Sequence, residues 1–84
     1  MDKFVFVGVE KRKSSKGNDY FMLHYGKEIE SKNGVGIKPI SSRINKEQFE
    51  EFSSLALGVE FLCSYQCIQD MTGKYNFIIT GYQI

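Results

Sequence analysis

The residues of this chain best equipped for chemistry are cations and aromatic rings set close together. Lys11, Arg12, Lys13 and Lys16 put four cations into six consecutive positions, and Tyr20 follows directly after that basic stretch. Lys38 and Arg43 lie further along, and Lys74 stands beside Tyr75. Lysine and arginine neutralise phosphates and release their counterions. Tyrosine rings stack on unpaired bases, worth about 1–3 kcal/mol per base and tolerant of sequence. The pattern fits single-stranded nucleic acid. Lys11, Arg12, Lys13, Lys16, Lys38, Arg43 and Lys74 are then the phosphate contacts, and Tyr20 and Tyr75 the stacking rings. The plainer alternatives are a solvated turn at 11–16 and a core position for Tyr20 with its hydroxyl at the rim. Tyr25, Phe77, Tyr82, Phe4 and Phe6 read as core, and Phe49 and Phe52 as helix packing. His24, the only histidine, reads as a strand residue without special chemistry.

Catalytic and metal chemistry find little support. No Gly-x-Ser-x-Gly elbow is present, and nothing in the spacing brings His24 to Cys63 or Cys67. Glu47, Glu50 and Glu51 read as a solvated helix face. Gly34-Val35-Gly36 is followed by no Lys-Ser/Thr and opens no helix, so it is not a phosphate loop. The expectation is a non-enzyme that needs no cofactor. A zinc site would need more ligands than one histidine and two cysteines without a Cys-x-x-Cys. On one strand Cys63 and Cys67 would lie ~13 Å apart, too far for a disulfide. Both therefore read as core thiols in a reducing, cytoplasmic setting. No apolar run approaches the ~20 residues of a membrane-spanning helix, and Met1-Asp2-Lys3 leads into strand-like residues rather than a secretion signal.

These candidates must be positioned by a small domain. Eighty-four residues, 42% hydrophobic and 25% charged, suit one globular unit, taken as 1–84. The net charge of +1 hides a split. Residues 1–46 hold ten Lys/Arg against five acids, a net +5; residues 47–84 hold one Lys against five acids, a net −4. Such asymmetry points to a charged face, unless the two halves interleave and cancel.

Five apolar stretches alternate with polar breaks. Lys3–Glu10 reads as a strand with Phe4 and Phe6 on one face and Val5, Val7 and Val9 on the other. Lys11–Asp19 reads as a loop and Tyr20–Gly26 as a second strand, with Tyr20, Met22 and His24 alternating against Phe21, Leu23 and Tyr25. Val35–Ile44 is a third strand, at an edge or kinked where Pro39 offers no N–H. Asn45 with Gln48 begins a capping-box helix over 46–57, which Gly58 stops. Val59–Ile68 and Tyr75–Ile84 close the chain as a hairpin. The order β-β-β-α-β-β is that of an OB-fold, a five-stranded Greek-key barrel that is mostly β with one short helix. In that fold the ligand crosses strands two and three between the first and last hairpin loops, where the cations and tyrosines fall. A small SH3-like barrel is the other arrangement considered. The only helix is acidic at its start, which argues for single strands over duplex.

Two short motifs add a family resemblance. Gly17-Asn18-Asp19-Tyr20, after basic residues, is similar to the Gly-x-x-Tyr of the DNA-binding hairpin in filamentous-phage gene V-type single-stranded-DNA-binding proteins and related phage and plasmid proteins. Gly73-Lys74-Tyr75-Asn76 is similar to that family's Gly-Gln-Phe-Gly turn, whose aromatic stacks on DNA. The resemblance implies stacking by Tyr20 and Tyr75, phosphate contacts by Arg12 and Lys16, and a symmetric homodimer. That dimer would coat and protect single strands during phage or mobile-element DNA replication in the host cytoplasm, without a cofactor. The helix between strands three and four lies outside the family pattern, as does the absence of arginine from the last strand. The rival readings are a small β-barrel protein–protein interaction module and an RNA-binding OB-fold.

Overall fold

The structure, a computed structural model, describes residues 1–84. Five strands and one helix follow in order: β1 (Asp2–Lys13), β2 (Asp19–Glu28), β3 (Ile37–Ile44), α1 (Lys46–Ser53), β4 (Glu60–Gln69) and β5 (Tyr75–Gln83). The strands close into a barrel in the order β1-β2-β3-β5-β4. All pairings are antiparallel except β3 with β5, which are joined in parallel through Ser42–Phe77 and Arg43–Ile78. This is the five-stranded OB-fold barrel with a helix between β3 and β4.

β1 serves two neighbours. Asp2–Val5 pair with β4, and Val5–Lys13 pair with β2. At the crossing a bulge leaves Val7 unpaired, between the Phe6–Tyr25 and Gly8–His24 pairs. The extra residue shifts the alternation by one. Phe4 and Phe6 are buried before it, Val9 packs on the core after it, and Val7 is 50% exposed. Sequence alternation had put Val9 with Val5 and Val7, because period two carries no sign of an inserted residue.

The first break is also shorter than the composition suggested. β1 runs on through Lys13, and the turn holds only residues 14–18. Lys11, Arg12 and Lys13 are thus strand residues, held by pairing with Phe21, Tyr20 and Asp19. Basic residues read as loop by composition, but a long hairpin accepts them where both faces meet water. β3 begins at Ile37 rather than Val35. Pro39 sits opposite Gly26 on β2, in the half of β3 that has no partner on its other side, so its missing N–H costs no ladder bond.

α1 begins as expected. The Asn45 side chain accepts the Gln48 amide N–H at 2.8 Å, and Gln48 accepts the Asn45 N–H at 3.0 Å. It ends at Ser53, four residues before the expected stop. The Ser53 and Ser54 hydroxyls donate back to the Phe49 and Glu51 carbonyls, which competes with continuation of the helix. The helix plugs one end of the barrel with Phe52, which is fully buried against Phe6, Phe61 and Tyr82. Phe49 packs on Phe21, with ring centroids 4.7 Å apart.

The core is aromatic. Phe4 meets Tyr25 edge-on at 5.1 Å, and both lie near Phe61. The buried Tyr25 hydroxyl is satisfied by Ser42 at 2.8 Å. Burial pushes the Tyr25 phenol up to about 12, partly offset by the Ser42 bond. Tyr82 is raised to about 12 as well, chiefly because its hydroxyl donates to Glu51 at 2.5 Å. Cys63 is buried, and its thiol is pushed up to about 11 by desolvation. Cys67, expected in the core, is exposed. It lies on the stretch of β4 beyond Cys63, where the β4–β5 hairpin has outrun β1.

Two outcomes are expected. Phe52→Ala should cost about 3–5 kcal/mol in urea unfolding, the range for removing a fully buried ring. Tyr25 has a folded value above the ordinary 10, so its contribution is complete below pH 10 and is lost as pH rises through 12. Stability followed by urea unfolding should therefore fall across that window, with Tyr82 contributing in the same direction.

Candidate nucleic-acid interface

The outer face of β1, β2 and β3 is built by register. Arg12 lies opposite Tyr20, Glu10 opposite Met22, and Gly8 opposite His24. On the next strand Met22 lies opposite Arg43 and His24 opposite Ser41. The neighbouring positions Phe21, Leu23, Tyr25, Ser42 and Ile44 turn inward. Tyr20 therefore belongs to the outer face, half-buried against its neighbours, and not to the core.

A cleft of about 670 Å³ opens on this face. Arg12, Tyr20 and Arg43 come to it from β1–β3; Asp70, Lys74 and Tyr75 come from the β4–β5 hairpin. Met22, Phe77 and Ile78 add apolar floor. The Arg43 guanidinium sits over the Tyr20 ring, 5.0 Å from its centroid, a cation–π contact that holds both side chains in place. Tyr75 is 63% exposed. Five of the nine expected site residues thus meet around one cleft.

The other four do not line it. Lys11 and Lys13 fall on the inward-facing alternation of β1 with Val9, and Lys11 pairs with Asp19 at 3.4 Å. Lys38 shares the alternation of Ile40 and lies opposite Lys27. Lys16 is exposed in the β1–β2 turn. Strand pairing explains the difference, because contiguous cations on a strand point alternately to opposite faces.

Both hairpin turns that flank the site share one construction. In the first, the Ser14 N–H donates to the Asn18 carbonyl and the Gly17 N–H to the Ser14 carbonyl. In the second, Asp70 donates to Lys74 and Gly73 to Asp70. Gly17 and Gly73 adopt φ values of 84° and 85°, a left-handed conformation that glycine enters without strain. Asp70 fastens the second turn further. One carboxylate oxygen accepts from the Thr72 amide and hydroxyl and from the Lys74 amide, and the other accepts from Asn76. These bonds, the Thr72 hydroxyl foremost, hold Asp70 below the usual carboxylate range.

From the sequence His24 reads as a strand residue without special chemistry, and Glu10, Ser41 and Asp70 are not among the expected site residues. Asp70-x-Thr72-Gly73 carries a readable turn signal. Glu10 and His24 become partners only through the bulge at Val7, which no spacing rule anticipates. One Glu10 carboxylate oxygen accepts from Arg12 at 2.5 Å and lies 2.6 Å from His24 Nε2. Arg12 first, and His24 second, hold Glu10 below its ordinary value, and Glu10 raises Arg12 in return.

A second, smaller cleft of about 280 Å³ is lined by Asp2, Lys3, Lys27, Glu28, Glu30 and Glu60. Its acids outnumber its lysines, and it offers no seat for phosphate. No helix is long and apolar enough to cross a membrane. No family model, curated protein or solved structure matches the chain.

Asp70 contributes order to its turn above the unfolded carboxylate value and loses it as pH falls through the depressed folded one. Asp70→Ala should lower hydrogen-exchange protection at the Thr72 and Lys74 amides. In the unmodified protein, acidification below the ordinary 3.8 should do the same.

Proposed function

We propose that this protein binds single-stranded DNA with little sequence preference, as a non-catalytic coat or clamp on exposed strands. The supporting observation is the convergence of Arg12, Tyr20, Arg43, Lys74 and Tyr75, from β1, β2, β3 and the β4–β5 hairpin, on one cleft. Arg12, Arg43 and Lys74 supply charge for the phosphate chain, and the exposed Lys16 lies in the turn beside it. Tyr20 and Tyr75 supply ring faces for bases. A nonspecific binder needs both, since phosphate contacts carry no sequence and stacking reads only the face of a base. The fuller form of the proposal, implied by the gene V-type resemblance, is a cytoplasmic homodimer that protects single strands during phage or mobile-element replication.

The test is fluorescence anisotropy with labelled single-stranded DNA, matched duplex and matched RNA at two salt concentrations. Single-stranded DNA should bind most tightly and weaken steeply with salt. Tyr20→Ala and Tyr75→Ala should each cost about 1–3 kcal/mol per base stacked, and the double variant about 2–6 kcal/mol. Unchanged affinity in the double variant rejects the site. Preference for RNA makes this an RNA-binding OB-fold. Absence of binding at low salt turns the search to a protein partner.

A further inference from the structure

The outer face carries a polar chain of which the phosphate contacts use only the first member, Arg12. It runs from Arg12 through Glu10 and His24 to Ser41. His24 Nε2 lies 2.6 Å from the Glu10 carboxylate, and His24 Nδ1 lies 2.7 Å from the Ser41 hydroxyl. Both ends of the chain, Arg12 and Ser41, line the cleft.

The bonding dictates what a proton does here. A carboxylate only accepts hydrogen bonds, so in neutral His24 the ring hydrogen sits on Nε2. Nδ1 is then an acceptor, and the Ser41 hydroxyl spends its hydrogen on it. When His24 takes up a proton, Nδ1–H donates to the Ser41 oxygen instead. The Ser41 hydrogen is thereby freed to donate toward the cleft. The face gains one positive charge and one donor, both of which suit a phosphate oxygen. Glu10 at the same time gains a full cation in His24, which loosens its claim on Arg12.

We infer that His24 is a proton-controlled positioning residue of this face, acting through Ser41 and Glu10, and that single-stranded DNA binding is linked to proton uptake at His24. The inference rests on the single-strand reading above. The groups facing His24 are few. β1 presents Glu10, with Arg12 beyond it; β3 presents Ser41, with Arg43 two residues along the same face; on β2 itself Met22 comes next on that face, and Tyr20 four residues away. α1 packs on the opposite side of β2 through Phe21. Histidine is the side chain whose charge ordinarily changes between about pH 5 and 8.

The experiment is anisotropy titration with labelled oligo-dT at constant ionic strength, from about pH 8 down to about pH 5.5. Thymine carries no group that titrates in this range. Affinity should rise roughly two- to fivefold toward acid, the effect of one added exposed charge, and the salt slope should steepen by up to about 0.7. His24→Gln should flatten the profile. Ser41→Ala, which keeps the charge and loses the donor, should shrink it and serves as the second variant if His24→Gln unfolds. Intact binding with a flat wild-type profile, or one unchanged by His24→Gln, overturns the inference and leaves the single-strand reading standing. No binding at about pH 5.5 in low salt overturns both.

Discussion

One inserted residue governs the arrangement. A closed barrel demands that every strand turn one face inward along its length, yet β1 must also bend from β4 toward β2. Val7 meets both demands. The bulge lies just past Val5, where pairing passes from β4 to β2, and it adds the local twist that such a bend requires. It also exchanges the two faces of β1. Without it, the alternation set by Phe4 and Phe6 would carry Glu10 and Arg12 toward the interior. With it, Val9 fills the core, and Glu10 and Arg12 stand on the outer face beside Met22 and Tyr20. The charged face and the aromatic core are thus two consequences of a single backbone irregularity.

The outer face is held ready without being locked. Arg12 is engaged by Glu10, and Arg43 rests on the Tyr20 ring. Both arrangements are solvent-exposed, and exposed ion pairs are individually weak. Under the proposed function, a phosphate chain offering several contacts at once would displace them, while the pairs restrict the side chains in the free protein. Rigidity at the margins comes from the two glycine-containing turns. Their shared hydrogen-bond pattern fixes where Tyr20 and Tyr75 leave the strands, and Asp70 alone accepts four of the bonds at the second.

Much of this was legible from residue order. The element sequence, the capping box at Asn45–Gln48 and the aromatic core positions Phe4, Phe6, Tyr25 and Phe52 follow from periodicity and local chemistry. So does the edge character of Pro39. What escaped was whatever depends on register. Lys11–Lys13 read as a loop because composition does not report pairing. Cys67 read as core because alternation continues past the point where β1 ends. Lys38 and Arg43 both lie on β3, but an odd spacing sends them to opposite faces. The Glu10–His24–Ser41 chain joins three strands through a bulge, and none of its members is near another in sequence.

The two halves of the chain, opposite in net charge, meet at the cleft, while the acids of the helix stay away from it. The β1–β3 half contributes Arg12 and Arg43 to the cleft, and the remainder adds Lys74 together with Asp70, whose carboxylate is taken up by its own turn. The acids Glu47, Glu50 and Glu51 lie on α1, whose apolar residues Phe49 and Phe52 face the inner side of the sheet. β2 separates the two charges, with Phe21 turned to the helix and Tyr20 to the cleft. Under the proposed function, the distance of the helix acids from the cleft bears on which form of nucleic acid would fit. Duplex recognition requires a helix or ribbon that enters a groove, and the one helix here is anionic and packed away. In a duplex, moreover, the flat faces of the bases are stacked on one another and closed to Tyr20 and Tyr75. Only an unpaired strand offers phosphates and free base faces together, the combination that the proposed function asks this cleft to engage.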